Sequence, residues 1–203
     1  MKKGIFITVE GPNGVGKSSF IDALSRKLSP LFPVYLTREP SQTQFGDFVK
    51  RYEHHLSSMS YAQLIWSDRY FHTENFVLPE LNKGNIVICD RYIESSFVLQ
   101  GFDGISNEKI WEMNKDFIKP DISIVLLATP TLLGERLATR SCLTRYEVKM
   151  TREQEVSAYR EAVKFLTNKG FNFLVFENNT TENLDRNVSE VYGRVREMMG
   201  NQL

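Results

Sequence analysis

Near the start of the chain Gly11 and Gly16 bracket four residues, and a lysine and two serines follow at once: Gly11-Pro12-Asn13-Gly14-Val15-Gly16-Lys17-Ser18-Ser19. Glycines permit backbone conformations that aim successive N–H groups inward, which makes a nest for an anion. A helix opening at that point adds its partial positive charge. The lysine of such a loop reaches the outer phosphates of a nucleoside triphosphate, and the hydroxyl after it ligates Mg²⁺. The pattern therefore predicts an ATP site over residues 11–19, with Lys17 as a catalytic cation and Ser18 as a metal ligand.

A second group of chemically able residues is Asp90-Arg91-Tyr92, directly after the apolar run Ile86-Val87-Ile88-Cys89. A carboxylate at the carboxyl end of a buried strand is well placed to hold the water shell of Mg²⁺. A guanidinium beside it can bond two phosphate oxygens at once and so bridge donor and acceptor. Asp90 is thus a candidate metal residue and Arg91 a candidate catalytic and substrate-binding one.

The elements that must carry these residues follow from the apolar pattern. Runs at 5–9, 34–37, 86–89, 122–128 and 171–176 are continuously apolar, as in a parallel sheet covered on both faces. Helical patterns lie between them, over 18–28, 61–81, 107–118, 131–139 and 151–166. The helix at 151 opens with Thr151-x-x-Gln154, a capping-box pattern. A last helix carries Leu184, Val188, Val191, Val195 and Met198 on one stripe. Strands alternating with helices predict an α/β, doubly wound parallel sheet, whose ligands bind beyond the carboxyl ends of the strands.

The bulk properties narrow the partners. The chain has 203 residues, a formal net charge of zero and two cysteines. A neutral chain lacks the cation surplus that nucleic-acid binding requires, and no run is long enough for a membrane span. Two unpatterned cysteines, Cys89 and Cys142, give neither a disulfide framework nor zinc spacing, which points to a reducing, cytoplasmic setting. Adjacent His54 and His55 are poorly spaced for a metal on a helix. The length suits one domain, 1–203, with a short lid.

Taken in order, the motifs resemble those of the thymidylate kinase family, one branch of the nucleoside monophosphate kinases. The resemblance rests on Val9-Glu10-Gly11 through Ser18, Thr37-Arg38-Glu39-Pro40, Ser67-Asp68-Arg69, Asp90 through Ser96 with Gln100-Gly101, Pro120-Asp121, and Arg136, Arg140 and Arg145-Tyr146-Glu147. It implies a five-stranded parallel sheet with a lid at about 138–150, ATP as donor, Mg²⁺, dTMP as acceptor and a homodimer. It implies substrate contacts from Arg38, Ile65, Arg69, Arg91, Ser96 and Gln100, the last reading the base. Val15 precedes Gly16, so the loop offers no arginine. Arg140 and Arg145 of the lid then become catalytic candidates.

Departures gather around base and sugar. The family's stacking aromatic is Ile65 here, with Trp66 beside it as a possible substitute. The residues before Gln100 are Val98 and Leu99 where the family has a small residue and a tyrosine. The acidic residue of the loop is Asn13, the aspartate after the fourth strand is Leu127, and Ser41-Gln42 follows Arg-Glu-Pro in place of two glycines. These leave three readings: a dTMP kinase, a kinase of the same scaffold acting on another or modified nucleotide or nucleoside, and an ATP-binding regulatory protein without transfer. Arg38, Arg69 and Arg91 suit an acceptor that already carries a phosphate.

Overall fold

A computed structural model of the chain describes residues 4–138 and 144–200. Five strands form one parallel sheet: β1 (Ile5–Glu10), β2 (Val34–Arg38), β3 (Ile86–Asp90), β4 (Ile122–Leu127) and β5 (Phe173–Glu177). Their order is β2-β3-β1-β4-β5. This is the five-stranded parallel sheet the apolar runs and the resemblance lead one to expect. The last run starts its strand later than predicted, because the Phe171 N–H bonds to Leu166 O and closes the turn after the preceding helix.

The helices are α1 (Lys17–Leu28), α2 (Gln44–Tyr52), α3 (Ser58–His72), α4 (Leu78–Asn82), α5 (Ile93–Phe102), α6 (Asn107–Asn114), α7 (Pro130–Ala138), α8 (Arg145–Lys149), α9 (Arg152–Thr167) and α10 (Thr181–Gly200). The predicted helix over 61–81 is α3 and α4 joined by a π-helical turn, Thr73–Val77. The capping box at Thr151 is formed, with Gln154 and Thr151 bonding each other's backbone N–H. In α10 the buried stripe is Val188, Val191, Val195 and Met199, with Leu184 and Met198 at its margin.

Side chains of each strand alternate between two cores. Ile5, Ile7 and Val9 of β1, Ile86 and Ile88 of β3, and Ile122, Ile124 and Leu126 of β4 pack with residues of α1, α7 and α10. Phe6, Val87, Cys89, Val125 and Leu127 face the other way, toward α3, α4, α5, α6 and α9. On that second face Thr8, Glu10 and Ser123 are also fully buried. They are polar groups in a covered sheet and must find partners there.

Three helices escaped the periodicity: α2, α5 and the five-residue α8. In α5 nearly every residue is buried, including Glu94, Ser95, Ser96 and Gln100, so it has no polar face to reveal a helical repeat. The α2 helix is only nine residues long and carries a glycine in its first turn. Gly46 sits where a Cβ would lie 1.9 Å from Ser41 O. Ser41 cannot retreat, since its N–H and hydroxyl both bond the Asp68 carboxylate, at 2.7 and 2.6 Å. We expect Gly46→Ala to lower stability by about 2–4 kcal/mol, read as a shifted denaturant midpoint with unchanged slope.

Candidate active site

The phosphate loop joins β1 to α1. Gly11, Gly14 and Gly16 all have positive φ, at 138°, 81° and 100°. At Gly11 a Cβ would stand 2.2 Å from Leu126 O, so the loop can pass β4 only as glycine. The first helical bond of α1 runs from Phe20 N to Gly16 O, which leaves the N–H groups of Lys17, Ser18 and Ser19 before it as donors for an anion. Lys17 Nζ lies folded over the loop, donating to Gly11 O at 2.7 Å and Pro12 O at 3.0 Å. Burial, then the Arg91 charge, lower its pKa. An anion in the nest reverses that balance.

Asp90 ends β3 beside this loop, and its Oδ1 is buried with no hydrogen-bond partner among the described residues. Ser18 is exposed at the mouth of the same cleft. No cluster of three or more His, Cys, Asp or Glu suited to a metal exists among the described residues. One carboxylate and one hydroxyl fit a Mg²⁺ ion that takes its remaining ligands from phosphates and water.

Arg91 has a φ of 72°, the one non-glycine residue in the left-handed region among those described. Its side chain is fixed on three sides. Nη1 donates to Ser95 Oγ at 3.0 Å and to Tyr159 OH at 2.9 Å, and Nη2 donates to Asn13 Oδ1 at 2.6 Å. Behind these stands Glu10. It accepts from Tyr92 N at 2.6 Å, Ser95 Oγ at 2.6 Å and Tyr159 OH at 3.2 Å. Burial first, then the neighbouring Glu94 carboxylate, push the Glu10 pKa up from 4.5 to about 7. The Asn13 backbone N–H donates to Glu155 Oε1 at 3.1 Å, so Asn13 ties the loop to Arg91 through its side chain and to α9 through its backbone.

The loop opens into a cleft of about 530 Å³, within the usual range for small-molecule sites. Its far end is lined by Arg38, Arg69, Tyr61, Ile65, Leu99, Gln100 and Tyr146. Arg38 is exposed at the end of β2, and its side chain makes no hydrogen bond among the described residues. Arg69 is only 2% exposed. Four of its five N–H donors are taken, by Glu39, Ser96, Asn114 and the Tyr92 carbonyl. Its wider task is to bind β2, α3, α5 and α6 together around the cleft.

Several sequence expectations are redrawn here. Trp66 does not take the place of the missing aromatic. One residue on from Ile65 it is turned by about 100°, and it packs with Tyr70 and Phe117 away from the cleft. Aromatic walls come instead from Tyr61 and Tyr146. Tyr61, Ile65 and Arg69 share one helical stripe, so the spacing did hold that signal. Arg145, expected near the phosphates, is 6% exposed and held at Asp103, with Nη2 2.8 and 2.9 Å from the two carboxylate oxygens. The capping box of Thr144 and Glu147 starts α8 there, and Glu53 O accepts from Nη1 at 2.7 Å. Arg140 lies outside the described residues. Arg136 lines the cleft and bonds Gly14 O and Val15 O at 3.1 and 3.3 Å, bracing the loop. Glu10 and Tyr159 were missed, for a buried carboxylate ending an apolar strand looks like a strand terminus.

Residues 9–188 match the family model for thymidylate kinase. The chain is 31% identical over 199 residues to a thymidylate kinase of Staphylococcus haemolyticus, covering 92% of this chain and 95% of the relative. It is 39% identical over 148 residues to a probable thymidylate kinase of Caldivirga maquilingensis, covering 70% and 72%, and 37% identical over 144 residues to a thymidylate kinase of Caldicellulosiruptor saccharolyticus, covering 66% and 70%.

The raised pKa of Glu10 has a sign that can be checked. Between pH 4.5 and about 7 the folded chain keeps a proton that the unfolded chain releases. Stability from this group therefore falls as pH rises through that window and levels off above it. We expect Glu10→Gln to flatten the fall between pH 5 and 7, measured as denaturant midpoints of variant and parent at each pH.

Proposed function

The chain belongs to the thymidylate kinase family, and on that premise we propose that it moves the γ-phosphoryl group of ATP to dTMP, giving ADP and dTDP. The observation that carries this reading is the single cleft. It runs from the anion nest at Lys17 to a slot lined by arginines, aromatic rings and one glutamine.

In this reading the N–H groups at the start of α1 and the Lys17 ammonium hold the phosphates of ATP. A 5′-phosphate oxygen of dTMP attacks the γ-phosphorus. As that P–O bond forms, the bond to the β–γ bridging oxygen breaks and its electron pair leaves with ADP. Arg91 lies between the two phosphate positions, and Lys17 and Arg91 stabilise the charge spread over the transferring group. Arg38 and Arg91 grip the acceptor phosphate, while Arg69 and Ser96 shape the acceptor pocket. Ser18 and Asp90 would hold Mg²⁺, which supplies charge neutralisation when bound. Arg140 is the arginine we assign to closure over the phosphates, within a lid at 138–150 of a single kinase domain. Ile65 and Leu99 pack on the base between Tyr61 and Tyr146.

We further assign a homodimer and a cytoplasmic setting. No described helix is long and apolar enough to cross a membrane. Phe48, Tyr52, Tyr70 and Phe71 of α2 and α3 are each more than a third exposed. Ring contacts Phe45–Phe71 and Tyr70–Phe117 link α2 to α3 and α3 to the turn after α6. A patch of this kind suits a second copy of the chain.

A nucleotide panel with ATP and Mg²⁺ tests the activity. We expect turnover of dTMP well above dCMP, dGMP, dAMP and thymidine, and a loss of about 10²-fold or more in Lys17→Ala and Arg91→Ala. Transfer to a different acceptor, or near-normal rates in both variants, would overturn the reading. Light scattering after gel filtration tests the assembly. The parent should elute as two chains and Tyr70→Glu as one, and a monomeric parent would remove the dimer from the proposal.

A further inference from the structure

Gln100 is 3% exposed, lines the cleft, and has a buried Oε1 without a hydrogen-bond partner among the described residues. An amide so placed can read a base in two ways. With Oε1 forward it accepts, and with Nε2 forward it donates, so its value for selection depends on what fixes its direction. The residues behind it fix that direction.

Arg145 is anchored by Glu53 O and donates from Nη2 to both oxygens of Asp103. Both oxygens of that carboxylate are therefore acceptors toward the guanidinium. The Tyr146 hydroxyl lies 2.8 Å from Asp103 Oδ2, so it must give its proton to Asp103. Burial and the Asp103 charge both raise the Tyr146 pKa, which keeps that proton on the phenol. A tyrosine oxygen whose proton is engaged has only lone pairs to offer. The Gln100 nitrogen sits 3.5 Å from it, at the outer limit of a hydrogen bond, and any group of the amide facing it must be the NH₂. Oε1 is thereby left on the side of the amide away from Tyr146, an acceptor without a partner among the described residues.

We propose that the chain Arg145–Asp103–Tyr146 sets the direction of the Gln100 amide, and so selects nucleotide bases that present an N–H, rather than a bare ring nitrogen, to Gln100. This deepens the reading given above and rests on it. Thymine and uracil carry a hydrogen on N3, and cytosine carries a lone pair there. Facing Oε1, cytosine would set two acceptors against each other in a buried site, the case that costs most. Asp103, Arg145 and Tyr146 act here as positioning residues.

The test compares kcat/KM for dTMP, dUMP and dCMP in the full chain and in Tyr146→Phe and Asp103→Asn. Phenylalanine removes the lone pairs that hold the NH₂. Asparagine can donate to the tyrosine oxygen, which frees the phenol proton to face Gln100 and reverses the amide. In either variant the dTMP:dCMP ratio should fall about tenfold. The dTMP:dUMP ratio should stay within about twofold, because both bases carry the same N3–H.

A dTMP:dCMP ratio unchanged in both variants overturns the inference alone, as does a parallel fall of both ratios, which would mean a loosened pocket. Should Tyr146→Phe fail to fold by circular dichroism, Asp103→Asn decides. A parent chain without dTMP turnover overturns the kinase reading and this inference with it.

Discussion

The buried carboxylate of Glu10 is the interaction around which the site is built. It ends the central strand, on the face where Thr8 and Ser123 are also buried. Its donors come from the turn after β3, from α5 and from α9. Those same donors, Ser95 and Tyr159, accept from Arg91. A charge-bearing group in such a place would ordinarily be costly. Here its lone pairs are met, and the guanidinium it helps to orient offsets part of that cost, although burial and Glu94 still raise its pKa. The Arg91 backbone, at a positive φ, is held in place by the same network.

The two ends of the cleft obey different rules. At the phosphate end the geometry is set by backbone: glycines at positive φ, helix N–H groups and a strand-end aspartate. At the base end it is set by side chains that are nearly all committed to one another. Arg69 gives four donors to the protein, and Asp68 takes both polar groups of Ser41. The departures from the family pattern make sense within these networks. Ser41 in place of glycine supplies a hydroxyl for Asp68. Asn13 in place of an acid supplies an acceptor for Arg91, while its backbone bonds Glu155.

What could be read from the sequence follows the same division. That the loop, Asp90 and Arg91 meet in one cleft was legible because their residue types stand at fixed spacing next to a strand and a helix. The sheet was legible because strands buried on both faces are continuously apolar. The α5 helix was not, since burial on all sides erases its repeat. Nor was the place of Arg145, whose partner Asp103 is 42 positions away in the chain. Side-chain pairing over such a span leaves no local trace. Tyr61 stood four residues before Ile65 on the same helical face, and that signal was present but unread.

The π-helical turn Thr73–Val77 shows how the long helix serves two surfaces. Before it, Asp68, Arg69 and His72 are buried toward the cleft and β2. At its last residue and beyond it, Val77 and Leu81 are buried in the sheet core. The interval from His72 to Val77 is one residue longer than a regular turn would supply, and the wide turn absorbs the surplus. An added residue elsewhere in this helix would rotate everything beyond it by about 100° and turn one of the two surfaces to solvent. Within 73–77 the chain already contains its insertion. Shortening by one residue there would restore an ordinary helical repeat and leave both flanks in phase, making this turn the point at which the helix can change length without losing its register.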